Sequence, residues 1–167
     1  MMKILIIIVL NLLIINPSKA DNITDFQIEG ITLLDSALDH FSEKEIKNFT
    51  QNYKYNNKDF IPVGTTKNLK VYDSIQFYYK NTSNKPIHVI TGIIWFENNI
   101  KGCSNKKKEI ISELKNVFPN SQEQDLGKIK IDFDKTGKST KTNYRFNFNN
   151  GDYALVACYD WSKKTKF

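Results

Sequence analysis

Five stretches of this chain show the two-residue period of β-strands, most of them with one apolar face, and this pattern restricts the possible folds more than any other feature. The stretches are residues 69–80, 87–97, 128–134, 141–149 and 152–161. Successive side chains of a β-strand point to opposite faces of a sheet, so the alternation is typical of half-buried strands. Residues 87–97 are apolar on both faces, which favours a central position in the sheet. We therefore predict one antiparallel sheet of about five strands.

Helical signals mark a short pair of helices near the N-terminus and one main helix in the middle of the chain. The pair begins near Thr32, and its second member opens at a capping box formed by Ser42 and Glu45. The main helix is predicted over residues 104–118, and Pro119 ends it. The element order α-α-β-β-α-β-β-β predicts an α+β fold in which the helices pack on one face of the antiparallel sheet.

Residues 1–20 are typical of a removable secretory signal. Lys3 supplies a positive start, residues 4–15 are almost wholly aliphatic, and Ser18 and Ala20 are the small residues of a cleavage site before Asp21. The apolar run is shorter than the about 20 residues that a transmembrane helix needs. An uncleaved N-terminal membrane anchor is the alternative. We expect residues 21–167 to form a single globular domain that is periplasmic or secreted and does not span a membrane.

The two cysteines suggest a disulfide. Cys103 is expected just before the main helix and Cys158 near the end of the last strand, and an even pair in an exported chain favours a bridge. A closed loop of about 55 residues would constrain the unfolded chain by roughly 4 kcal/mol. Two buried free thiols are the alternative. A metal site with His40 and His88 is less favoured, because neither cysteine pair nor histidine pair has the spacing of a metal motif. We predict no metal and no cofactor.

The charge balance does not indicate a nucleic-acid partner. The chain has 24 basic and 18 acidic residues, a net charge of +6, and its one arginine is Arg145. Arginine, whose planar fork matches phosphate geometry, would be expected in larger numbers on a phosphate-binding surface. The abundant lysine, asparagine and isoleucine reflect the coding bias of an AT-rich genome. We therefore expect no binding to nucleic acid.

Three stretches of the chain stand out together. They are residues 26–41, which open with Phe-Gln-Ile-Glu-Gly, residues 93–103, and residues 137–140 with 157–161, which include Cys-Tyr-Asp-Trp. In these stretches the chain resembles a group of small, uncharacterised exported proteins of AT-rich marine alphaproteobacteria, over most of the mature length. The resemblance implies a bacterial envelope location and a pairing of Cys103 with Cys158, but no activity. Members of the group tend to continue past the Cys-Tyr-Asp-Trp strand.

The sequence lacks a recognisable catalytic motif. His40 and His88 are the side chains that ordinarily titrate near neutral pH, and no nucleophile elbow, zinc-protease motif or phosphate loop occurs. Asp132, Asp134 and Asp160 lie near strand ends, where we interpret them as turn or surface residues. We predict no catalytic residue. The alternative is a small hydrolase-like envelope enzyme, which would need a cleft that brings a histidine to an aspartate.

A non-catalytic binding or interaction module is therefore the favoured hypothesis, with an envelope protein or a small ligand as partner. If the helices cover one face of the sheet, the other face stays open. Tyr72 and Tyr78 share one face of the first strand and are the candidate surface-binding residues. Plain cross-strand packing of these tyrosines is the alternative. An exposed apolar patch of a few hundred Å² on the open face would favour binding.

Overall fold

The computed structural model describes residues 23–51 and 59–163. The predicted signal segment, with its cleavage site between Ala20 and Asp21, lies outside the described residues. In chain order the elements are a 3₁₀ turn at Ile23–Asp25, β1 (Gln27–Ile28), β2 (Ile31–Thr32), α1 (Ala37–His40), α2 (Glu43–Phe49), β3 (Phe60–Thr65), β4 (Ser74–Lys80), β5 (Ile87–Ile93), α3 (Ile100–Val117), β6 (Gln122–Lys130), β7 (Thr140–Asn147) and β8 (Tyr153–Asp160).

The strands within the described ranges form three antiparallel sheets. β1 and β2 make a small hairpin, and the orders β3-β4-β5 and β6-β7-β8 make two three-stranded meanders. The predicted α+β class with antiparallel pairing is confirmed. The prediction of one sheet of about five strands is wrong, since the described residues contain eight strands in three sheets. The central position predicted for residues 87–97 is also wrong, because they form β5 at the edge of its sheet. The first meander contains a strand, β3, that the alternation did not reveal, because Pro62 and Gly64 both weaken a strand pattern.

Side-chain caps begin each helix. The Ser36 hydroxyl accepts from the Leu38 N–H at the start of α1, and Ser42 and Glu45 form the predicted capping box of α2. The main helix starts earlier than predicted, because the Asn99 side chain accepts from the Gly102 N–H and caps α3 one turn upstream of residue 104. Cys103 therefore lies in the first turn of α3 rather than before it.

Two apolar cores lie under the two larger sheets. In the first, α1, α2 and the β1–β2 hairpin cover the meander β3-β4-β5; its fully buried centre includes Val63, Phe77 and Ile87. In the second, α3 covers β6-β7-β8, with Leu114 and Phe118 against Phe146 and Val156. The helices thus pack on two sheets instead of on one face of a single sheet. Each helical layer precedes its own three-stranded meander.

The N-terminal hairpin connects the two cores. Ile28 and Ile31 pack in the first core, while the ring of Phe26 lies 5.6 Å from that of Phe118 in the second. At the hairpin turn, the Glu29 carboxylate accepts hydrogen bonds from the N–H groups of three consecutive residues, 70 to 72, at 2.9, 2.7 and 3.0 Å. The hairpin is therefore fixed to the loop before β4 as well as to both cores.

A disulfide joins α3 to β8. Cys103 and Cys158 are bonded, with their Cα atoms 6.0 Å apart, which confirms the predicted bridge. Cys158 is buried between the helix and the sheet. Within the described ranges, no helix combines the length and the apolar character needed to cross a bilayer.

Candidate binding surface

The alternation along β8 decides which side chains face away from α3. Cys158 faces α3, because its sulfur is bonded to Cys103 of that helix. The intervening side chains of β8 therefore face the opposite side of the sheet. They are Tyr153, Leu155, Ala157 and Tyr159, and the β7 positions paired with them are Asn147, Arg145, Asn143 and Lys141. We call these positions the outer face.

Apolar and aromatic side chains dominate the β8 part of the outer face. Tyr153 is 52 % exposed, and Leu155 and Tyr159 are each 42 % exposed. Ile129, which pairs with Lys141 from the neighbouring strand β6, is also exposed. Single exposed apolar side chains are ordinary, but a contiguous group of them marks an interaction surface. The outer face is therefore the candidate binding surface of this protein.

Two cations lie on the outer face, each over a tyrosine ring. The Arg145 guanidinium is 4.0 Å from the ring centroid of Tyr153, and the Lys141 ammonium is 5.7 Å from that of Tyr159. Cation–π attraction holds both charges against the sheet while leaving them next to solvent. The surface thus combines positive charge with apolar contact area.

Aromatic side chains are concentrated at one end of the outer face. The ring of Trp161 stacks on that of Tyr159 at 5.4 Å, and the ring of Phe133 lies 6.0 Å from that of Trp161. Phe133 is 73 % exposed, the largest exposed fraction among the described large hydrophobic residues. We call Phe133, Tyr159 and Trp161 the aromatic end.

The loop that presents Phe133 is held in one shape by Asp134. Its buried carboxylate accepts from the Thr136 hydroxyl at 2.6 Å and from the N–H groups of Thr136, Lys138 and Ser139 at 3.0, 3.2 and 2.8 Å. These hydrogen bonds hold the pKa of Asp134 far below its usual range, and the bond from the Thr136 hydroxyl has the largest effect. Burial of the carboxylate acts in the opposite direction. Asp134 is thus a turn residue, as the sequence predicted.

The segment that carries Trp161 is joined to the same loop. The N–H of Ser162 donates to the Ser139 hydroxyl at 2.9 Å, and Ser139 is fully buried. Phe133 and Trp161 therefore belong to one connected structure rather than to two independent loops. A fixed arrangement of exposed aromatic rings can bind a partner without first being ordered.

Two polar atoms of outer-face residues lack hydrogen-bond partners. Asn143 is only 5 % exposed, and its Oδ1 atom, together with Nε of Arg145, is buried without a partner. A buried acceptor or donor left unsatisfied costs about 1–3 kcal/mol. The outer face thus carries a stability penalty that an all-apolar sheet face would avoid.

The sequence candidates Tyr72 and Tyr78 lie on the other sheet. Tyr72 is half-buried against the first core, and its ring fills the space above Gly92, where a Cβ atom would come within 2.3 Å of it. Burial raises the pKa of the Tyr72 hydroxyl, and the charge of Glu29 adds to this effect. Tyr78 is half-buried on β4 between Pro62 and Val89. Their part in binding stays a prediction, and more exposed aromatic side chains lie on the outer face.

The described part of the chain also contains a shallow groove on the first meander. It has a volume of about 400 Å³ and runs between Gln51, Gly64, Gln76 and Trp95. The amide of Gln76 approaches that of Gln51 at 3.5 Å across the groove. Its lining mixes polar side chains with the apolar Phe49, Ile75 and Ile93, and none of the sequence candidates lines it.

One histidine does meet an aspartate. His40 Nε2 lies 2.8 Å from Oδ2 of Asp35, which also accepts from the Thr32 N–H. Hydrogen bonds lower the pKa of Asp35, and those from Thr32 have a larger effect than the bond with His40. Among the described residues, Asp35 is the hydrogen-bonding partner of His40. His88 instead packs edge-on against Phe60. The pair of His40 and Asp35 therefore ties β2 to α1.

Comparisons with family models, with curated proteins and with solved structures find no match. The outer face must therefore be interpreted from its own chemistry. Sequence reasoning grouped its β8 residues on one strand face but did not say which face was outward. The predicted disulfide contained that answer, because a cysteine bonded to the main helix places the opposite face of its strand away from that helix.

Proposed function

We propose that this protein is an exported, non-catalytic binding module that holds an anionic partner on its outer face. The observation that carries the proposal is the exposed row Tyr153, Leu155 and Tyr159 beside two cations. At the outward positions of β6, β7 and β8 in the described chain, no acidic residue occurs. Apolar contact would supply affinity, and the positive charge would select an acidic partner.

Two acids close to the outer face are engaged elsewhere, which supports an anionic partner. Glu123 of β6 points toward α3, where it pairs with Lys115 and accepts from the Tyr144 hydroxyl. Asp134 is buried within its loop. The cations on the outer face therefore lack neighbouring carboxylates on that face. A second copy stacked symmetrically on it would bring like charges together, which disfavours a self-paired dimer.

Export is the second part of the proposal. The disulfide between Cys103 and Cys158 suits an oxidising compartment, since cytosolic proteins seldom keep structural disulfides. Residues 1–20 have the composition of a secretory signal. The resemblance to exported envelope proteins points the same way. We propose a periplasmic or secreted location after cleavage at Ala20.

Site-specific photocrosslinking in the native envelope tests the proposal. A photoreactive residue at Leu155 on the outer face is compared with one at Asn116, an exposed position on α3. We expect adducts from Leu155 that disappear when Lys141 and Arg145 are both changed to glutamate. Mass spectrometry of the recovered protein also reports whether it begins at Asp21. No excess of adducts at Leu155 over Asn116 would contradict the proposed binding surface.

A further inference from the structure

The aromatic end has the shape of a protrusion rather than a pocket. Phe133 stands on a turn at the end of the sheet with about three quarters of its surface exposed, a fraction of 73 %. Small-molecule sites are concave and bury most of their ligand. The groove found in the described residues lies on the other meander and includes none of the aromatic end. A protruding, preformed group of rings fits a broad surface better than a small ligand.

Positive charge is concentrated around these rings. The segments that carry Phe133 and Trp161 contain five lysines, of which Lys141 lies on the outer face and Lys130 on the opposite face; they are Lys130, Lys135, Lys138, Lys141 and Lys163. Of the nearby acids, Asp134 is buried and bonded to its own loop, whereas Asp132 and Asp160 are exposed. With the charged Asp134 included, the five lysines outnumber the three aspartates, so the segments that carry Phe133 and Trp161 have net positive charge. Anionic partners are attracted to such a surface, and salt weakens the attraction.

The combination of residue types favours a lipid surface over a protein. Trp, Tyr and Phe side chains partition into the headgroup region of a bilayer, and lysines beside them attract anionic headgroups. A planar bilayer also needs no complementary cavity.

Resting on the proposed binding role of the outer face, we infer that its occupant is the surface of a bilayer that contains anionic lipids. Phe133 and Trp161 enter the headgroup region, and the surrounding lysines contact the lipid phosphates. The hydrogen bonds of Asp134 and the Ser162–Ser139 bond hold the loop in the docking shape. Docking of this kind places the protein on a membrane without spanning it.

Vesicle sedimentation tests the inference with the mature, disulfide-bonded protein. The probes are vesicles of pure phosphatidylcholine and vesicles in which about a third of the lipid is phosphatidylglycerol. We expect binding to the anionic vesicles at low salt, at least tenfold less binding to the neutral ones, and release at high salt. Failure to bind anionic vesicles at low salt would overturn the inference.

Variants locate the contact. Phe133→Ser and the double change Lys135→Glu with Lys138→Glu should each reduce the bound fraction at least threefold. Val71→Ser, at a similarly exposed valine, and Lys44→Glu with Lys108→Glu, which alters the net charge equally, should leave it unchanged. Circular dichroism confirms that each variant folds. Equal losses in the control variants would show that binding is unspecific and overturn the inference.

Tryptophan fluorescence supplies a readout that needs no altered docking residue. In the Trp95→Phe protein, Trp161 is the remaining tryptophan, and anionic vesicles should shift its emission to shorter wavelength. Adducts to protein from Leu155, without vesicle binding and without this shift, would leave the binding module intact and refute the lipid partner. Absence of both adducts and vesicle binding would refute both proposals.

Discussion

At the level of single side chains, the described structure uses carboxylates mainly as acceptors for backbone N–H groups. Glu29, Asp35 and Asp134 each fix a turn in this way. Such carboxylates titrate below their ordinary range, because the bonds favour the charged form. Only some of these hydrogen bonds join residues that are close together in the sequence. Asp134 serves residues two to five positions away, as turn aspartates do, but Glu29 serves residues about 40 positions away, and no local pattern announces that contact.

We expect Glu29→Gln to lower the melting temperature at neutral pH. The glutamine keeps the shape but loses the charge that three N–H donors, led by that of Tyr72, stabilise and that lowers the pKa of Glu29. A depressed pKa in the folded state contributes stability above the unfolded value, near 4.5, and loses it as the pH falls through the lower folded value. The difference between wild type and Glu29→Gln should therefore shrink in acid. Thermal unfolding between pH 7 and pH 3 measures it, with Glu97→Gln as the matched control.

Asn143 gives a prediction of opposite sign. Its side chain belongs to the outer face but is buried, with Oδ1 unpartnered. We expect Asn143→Val to raise the free energy of unfolding by about 1 kcal/mol, because valine suits a strand and removes the unsatisfied acceptor. Urea denaturation provides the measurement, and Asn147→Val, at a less buried position of the same strand, is the comparison. A loss of stability in Asn143→Val would mean that the amide makes a contact the structure does not contain.

At the level of helices and strands, the sequence predicted elements wherever apolar periodicity was strong. The strands β4, β5, β7 and β8 and the helix α3 were all found within a few residues. The edge strands β3 and β6 were harder. β3 contains Pro62 and Gly64. β6 spans Gln122–Lys130 instead of the predicted 128–134, because its first half shows no apolar alternation and residues 131–134 belong to the loop that follows. Such strands form because a neighbour offers hydrogen bonds, and a single-strand pattern does not contain that information.

The division into two sheets was also hidden from pattern analysis. Periodicity reports which face of an element is apolar, but not which other element covers it. α2 and α3 each cover a different meander. For the candidate surface the consequence was direct. Tyr72 was predicted as a surface-binding residue, although it packs beside Gly92. The exposed side chains of β8 were placed on one face of their strand, but the sequence did not show that this face points to solvent.

Removing the link between α3 and β8 should destabilise the protein strongly. The bridge between Cys103 and Cys158 closes a loop of 55 residues, so its loss should lower the free energy of unfolding by roughly 4 kcal/mol if chain entropy dominates. Urea unfolding of the oxidised protein and of Cys103→Ala with Cys158→Ala measures the difference. A reductant should destabilise the wild type and leave the double variant unaffected. Equal midpoints for the two proteins would contradict a stabilising role for the bridge.

In the molecule as a whole, a short N-terminal segment contacts both cores. Phe26 packs on Phe118 of the second core, while Ile28 and Ile31 pack in the first. Glu29 adds the bonds to residues 70–72. Each strand of the hairpin is only two residues long, yet side chains of this segment contact both cores. Cooperative unfolding of the whole chain should therefore depend on this segment.

Phe26→Ala tests that dependence. The variant removes a partly buried ring from the second core, which should cost about 2 kcal/mol, and it removes the apolar link between the cores.

Each half carries its own reporter, since Trp95 follows β5 and Trp161 follows β8. In single-tryptophan proteins made by Trp95→Phe or Trp161→Phe, the wild-type denaturation curves should coincide, as two-state unfolding requires. With Phe26→Ala added, the curve reported by Trp161 should move to lower denaturant than the curve reported by Trp95. Phe133→Ala, which removes an exposed ring, should keep the two curves together. Coincident curves in Phe26→Ala would show that contacts other than the hairpin couple the two cores.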